Sequence, residues 1–196
     1  MKFKLSAIFI IATFLILFLF FGKMFSCRRL SCITMRDIAN FKIKDLYLEN
    51  NKSFRAMYEY KNKIMRVERV SHESQYTSSQ YINANIAQIK GLFTDSLAPY
   101  PGVASNTITC EKKYQPVFNK IVTSDKLEIS SFIAYLNRNL TYGSCTDNLA
   151  IYRGISAYFY CPKNKQTYHL EIITQRHEFE SSEKDYQNMI KSIKCK

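Results

Sequence analysis

Hydrophobic and polar positions divide the chain into three zones. From Leu5 to Phe21 the polar side chains are Ser6 and Thr13 alone, and Lys4 and Lys23 bracket 18 uncharged residues. A helix of that length spans about 27 Å, close to the hydrocarbon thickness of a bilayer. Residues 1–23 therefore predict a transmembrane anchor, with residues 5–21 in contact with lipid. Residues 24–51 follow as a juxtamembrane connector. Their apolar positions, Ile38, Phe41, Ile43, Leu46 and Leu48, fit neither helical nor strand period, and a short helix leading into the domain is the expectation. Residues 52–196 form the third zone, where periodic patterns begin.

In that zone Phe54 to Tyr60 and Ile64 to Val70 predict a hairpin about Lys61-Asn62-Lys63. Ile82, Ile86, Ile89 and Phe93 recur at helical spacing, predicting a helix from Ser78 or Ser79 to about Ser96. Short strands are expected at Thr107–Cys110, Ile129–Leu136 and Leu140–Cys145. Ala150 to Cys161 alternates most clearly: Ile155, Ala157, Phe159 and Cys161 on one face, Tyr152, Ser156, Tyr158 and Tyr160 on the other. Gln166 to Thr174 returns after a turn at Pro162–Lys165, with Tyr168, Leu170 and Ile172 opposite His169, Glu171 and Ile173. A closing helix is expected from about Ser181 to Lys194, with Tyr186, Met189, Ile190 and Ile193 on one face. The fold class is therefore α+β: an N-terminal transmembrane helix, then an antiparallel sheet packed with two helices as a sandwich. The meander with its terminal helix loosely resembles small extracytoplasmic α+β folds of the PsbP/Mog1 type, and no diagnostic motif carries that likeness.

Two other readings of the N-terminus compete with an uncleaved anchor. A cleaved signal peptide would leave Met24 where a small residue is wanted, and a lipid-modified Cys27 would follow the bulky Phe25. Charge flanking the span is close to balanced, with Lys2 and Lys4 before it and Lys23, Arg28, Arg29 and Arg36 after it. That balance slightly favours a cytoplasmic C-terminal side. The cysteines favour the opposite side. Cys110, Cys145, Cys161 and Cys195 are an even set in the domain, which fits two disulfides in an oxidising compartment, with the pairing open among three connectivities.

The net charge of +12 is unevenly spread. Six basic and no acidic side chains lie in residues 1–36, which leaves 22 basic against 16 acidic in the remainder. Half the surplus thus flanks the span, where it suits anionic headgroups. The domain has no RNP-like, zinc-finger or basic-helix pattern, so nucleic acid is not an expected partner.

The motifs of the common hydrolases, phosphate-binding loops and dinucleotide folds are missing from the sequence, and no cofactor is expected. No metal site is expected either, because the histidines and cysteines lack ligand spacing. Two function classes follow. The first is a membrane-tethered, extracytoplasmic binding or assembly module of the cell envelope. It would recognise a protein or envelope partner through Tyr152, Tyr158 and Tyr160 on one sheet face, with Tyr100 in the Pro-Tyr-Pro-Gly loop as a second contact. If the helix near residues 79–96 covers that face, the same tyrosines become core. The second class is a membrane-anchored enzyme with Cys145 as nucleophile and His169 or His177 as base.

Overall fold

The computed structural model describes residues 32–47, 53–71, 75–93 and 111–196. The predicted anchor, the loop bearing Tyr100, Cys27, Cys110 and the strand expected at Thr107–Cys110 lie outside the described residues. Among the described residues no helix is long and apolar enough to cross a membrane.

Among the described residues nine strands and two α-helices run in the order β1 (Ile33–Thr34), β2 (Lys42–Tyr47), β3 (Ser53–Tyr60), β4 (Lys63–Ser71), α1 (Gln75–Phe93), β5 (Val117–Val122), β6 (Glu128–Leu136), β7 (Tyr152–Cys161), β8 (Gln166–Gln175), α2 (Arg176–Lys191) and β9 (Lys194–Cys195). Seven strands form one antiparallel sheet in the order β2-β3-β4-β8-β7-β6-β5, and β1 pairs with β9 separately. The class is α+β, an antiparallel sheet with two helices.

Alternation along β7 and β8 assigns the two faces. Ile155, Ala157, Phe159, Leu170 and Ile172 point to one side and pack with Phe179, Tyr186, Met189 and Ile190 of α2. Burying a side chain such as Phe179 stabilises the fold by roughly 1.5–3 kcal/mol. On the opposite side Phe132, Ala134 and Tyr158 pack with Ile89 of α1, and Ile82 and Ile86 lie against the same cluster. The sandwich therefore has a helix on each face.

Several elements differ from the sequence expectation. Residues 32–47 are not a connector but part of the domain. Cys32, Ile33, Met35 and Phe41 are buried in the α2-side core, and β2 is an edge strand. Its alternation is broken by a register shift between Ile43 and Asp45, which hides the strand period from sequence. β5, a strand the sequence pattern does not predict, forms the other edge, and Val117 and Val122 are exposed there. Leu140–Cys145 is not a strand. It makes a single bridge, Leu136 to Tyr142, because Leu140 turns the chain through a left-handed conformation at φ 58°. α2 begins at Arg176, five residues before the expected Ser181, continuing directly from β8 with Gln175 as its N-cap.

Candidate functional site

The α1-side face of the sheet is covered unevenly. α1 packs over the half that carries β6 and β7. Towards β3 and β4 the face instead carries ionisable side chains, placed by register. Arg55 of β3 pairs across to Glu68 of β4, Glu68 to His169 of β8, and His169 to Tyr158 of β7. One step along, Met57 pairs with Arg66, Arg66 with Glu171, and Glu171 with Ser156. Two parallel cross-strand rows result, one behind the other.

A cleft of about 380 Å³ opens over these rows. Arg55 and Arg66 line it with Glu68, His169 and Glu171, and Tyr142 closes one side. The guanidiniums are the more accessible groups. The Arg55 side chain is 55% exposed and that of Arg66 30%, against 4% for Glu171. Cations thus line the mouth and carboxyls form the floor.

The floor is well bonded. The hydroxyls of Tyr142 and Ser156 both donate to Oε1 of Glu171, and they lie 2.6 Å from each other. Arg66 Nη1 reaches Glu171 Oε2 at 3.4 Å and donates at 2.9 Å to the carbonyl of Leu140. The left-handed turn at Leu140 is what presents that carbonyl, and it also delivers Tyr142 two residues later. For a leucine such a conformation costs about 1–2 kcal/mol, so the loop carries strain where it meets the cleft. Burial pushes the Glu171 carboxyl up to about 7, against the opposing pull of Arg66.

His169 is held between two elements. Its ring stacks flat on Tyr158, with centroids 4.0 Å apart and planes within 4°. Nδ1 faces Glu68 at 3.8 Å. Nε2 has no hydrogen-bond partner among the described residues and stands 3.6 Å from Glu171 Oε1. Burial lowers the His169 pKa despite the pull of Glu68, so the imidazole is neutral at pH 7. Glu68 is held below the usual carboxylate range, first by the neighbouring His169 and also by Arg55. The cleft can therefore hold a ligand against two guanidiniums and offer a proton from Glu171.

The residues singled out in the sequence fall in several places. Tyr158 is 3% exposed and belongs to the core beneath α1, the covered-face alternative stated for it. Tyr152 and Tyr160 are half-buried on the same strand. Cys161 and Cys195 form a disulfide that ties the end of β7 to β9. Cys145 is disulfide-bonded as well, and so, separately, is Cys32. Nucleophilic attack by Cys145 would first require that bond to be reduced. His177 lies in the first turn of α2, on the other side of the sheet from the cleft. Arg55, Arg66 and Glu68 match no sequence motif. Their signal was the alternation within the predicted hairpin, which places Arg66 and Glu68 on one face.

No protein-family model matches the chain, and no curated protein sequence matches it. Among solved structures, a protein from Bacteroides thetaiotaomicron is 8% identical with a TM-score of 0.43, over 85% of this chain and 46% of that one. The chain spans about half the length of that protein. A mutant of the protein Mog1 is 9% identical with a TM-score of 0.41, over 85% of this chain and 92% of its own. The Ran-binding protein Mog1p of Saccharomyces cerevisiae is 9% identical with a TM-score of 0.39, over 84% of this chain and 90% of its own. Likenesses this distant carry no argument about what the chain binds or does.

Proposed function

We propose that this protein is a membrane-anchored, disulfide-stabilised domain that acts on the extracytoplasmic side of a cell membrane as a ligand-binding module. The observation that carries the binding reading is the cleft over β3, β4 and β8. It is concave, it joins apolar walls to a few convergent polar groups, and it holds a buried carboxyl with a displaced pKa. Sites of that composition are where ligands bind. Support for the compartment comes from cysteine chemistry, because no described cysteine is a free thiol. Support for the anchor comes from the uncharged run between Lys4 and Lys23.

Protease added to intact cells that express the full chain tests the location. The domain is expected to be degraded, and a non-reducing peptide map is expected to show all six cysteines bridged. Protection in intact cells with degradation after lysis, together with alkylatable thiols, would reverse the assignment.

A further inference from the structure

Resting on the binding reading above, we propose that the cleft takes a carboxylate-bearing organic acid, with its carboxylate docked on the fork of Arg66 and its apolar part against Met57. Arg66 brings unmet donor capacity to the mouth of the cleft. The carboxyls on the floor are engaged: Glu171 takes Tyr142, Ser156 and Arg66, and Glu68 takes Arg55. Arg66 has five N–H donors, and the bonds it makes, to Leu140 and Glu171, both leave from Nη1. A planar carboxylate matches that fork in a bidentate geometry that a point cation cannot offer.

The net charge selects the charge of the anion. Two guanidiniums face one ionised carboxylate, Glu68, and one carboxyl, Glu171, that is part-protonated near neutrality, while His169 is neutral. The surplus is a fraction of one positive charge. It suits a monoanion and not a phosphate dianion, whose second charge finds no matching positive charge there. Met57, on the same face as Arg66, provides the apolar wall, while Ala56 and Val67 border the cleft with their backbone and turn their side chains into the α2-side core. The carboxylate could belong to a free small acid or to the C-terminus of a peptide; the chemistry at Arg66 is the same.

The test is titration of the full-length chain in mild detergent, following the His169 ring signals by NMR. The probes are benzoate, benzamide, benzylamine, phenyl phosphate, and trialanine with a free or an amidated C-terminus. Benzoate is expected to shift the His169 signals and benzamide to leave them unmoved. Trialanine that binds only with a free C-terminus assigns a peptide terminus, and benzoate alone assigns a small acid; either supports the carboxylate. Arg66→Gln is expected to weaken benzoate by at least about tenfold, the loss of one charge-assisted hydrogen bond. Should Arg66→Gln fail to fold, Met57→Glu puts a negative charge on the same wall and should abolish benzoate binding. Benzylamine binding while benzoate is silent would overturn the carboxylate and leave the binding module standing, as would phenyl phosphate binding more tightly than benzoate. If no probe of either charge moves a cleft signal at about 10 mM, an affinity too weak to count as recognition, both readings fall.

Discussion

His169 and Glu171 sit two residues apart on the same face of β8, with Nε2 of the imidazole 3.6 Å from Oε1 of the carboxyl. Both groups are pushed by burial toward their uncharged forms, the histidine downward and the glutamate up to about 7. Arg66, Glu68 and Tyr142 are the other ionisable groups around that carboxyl. A carboxyl whose folded pKa lies above its unfolded value stabilises the fold fully below the unfolded value. That stabilisation is lost as pH climbs toward the folded value. Between about pH 4.5 and pH 7 Glu171 should therefore cost stability on the order of 3 kcal/mol. His169 works with the opposite slope, losing stability as pH falls below its ordinary 6.5. The difference between Glu171→Gln and the unmodified chain isolates the glutamate. Urea unfolding at pH 5 and pH 8 should show the variant gaining relative stability at the higher pH. Equal differences at both values would contradict the raised carboxyl.

Gly154 lies in β7 where Cβ of any larger residue would meet its neighbours. An added Cβ would stand 3.1 Å from the carbonyl oxygen of Ile172 and from Cγ1 of Ile173, and 3.3 Å from Cδ1 of Leu136. The first of these is backbone of the adjacent strand and cannot rotate away. Gly154→Ala should therefore destabilise the domain by about 1–3 kcal/mol, the ordinary cost of overpacking. A thermal melt that matches the unmodified chain would show that β7 and β8 can separate without penalty.

What could be read from the sequence followed burial. β7 and β8 are the central strands, and each carries an apolar face and a mixed face, so alternation was plain and Tyr152–Cys161 and Gln166–Gln175 fell within two residues of expectation. The edge strands were missed because an edge need not alternate. β2 has Ile43 and Leu46 half exposed and a register shift between them, and β5 reads Val-Phe-Asn-Lys-Ile-Val. The cleft was out of reach for another reason. Arg66 and Glu171 are 105 residues apart in the chain, and only the β4–β8 register puts them opposite each other. The alternation of β8 places His169 and Glu171 on one face, but nothing local says which side chains cross from β4.

The Cys161–Cys195 bridge joins the end of β7 to β9, which pairs with β1 near the start of the described chain. It closes a segment with a sequence separation of 34, for which loop entropy gives about 3–4 kcal/mol. The paired replacement Cys161→Ala with Cys195→Ala should lower unfolding free energy by about that much. It should also raise amide exchange at Lys196, whose N–H donates to the carbonyl of Cys32. Loss of stability with unchanged exchange there would mean that β9 is held by its pairing with β1 and not by the bridge.

Lys165 offers a gain in place of a loss. It occupies the turn between β7 and β8 with φ at 52°, in the left-handed region, and its side chain is exposed. A lysine there carries a backbone cost of about 1–2 kcal/mol that glycine avoids. Glycine gives part of that back through the greater freedom of its unfolded chain. The exposed side chain has little packing to lose, so Lys165→Gly should stabilise the domain by roughly 0.5–1 kcal/mol. The melting midpoint should rise by a few degrees, with the carboxylate response of the distant cleft unchanged. A fall in the midpoint would show that the turn is held by the lysine side chain and that its backbone conformation carries no cost.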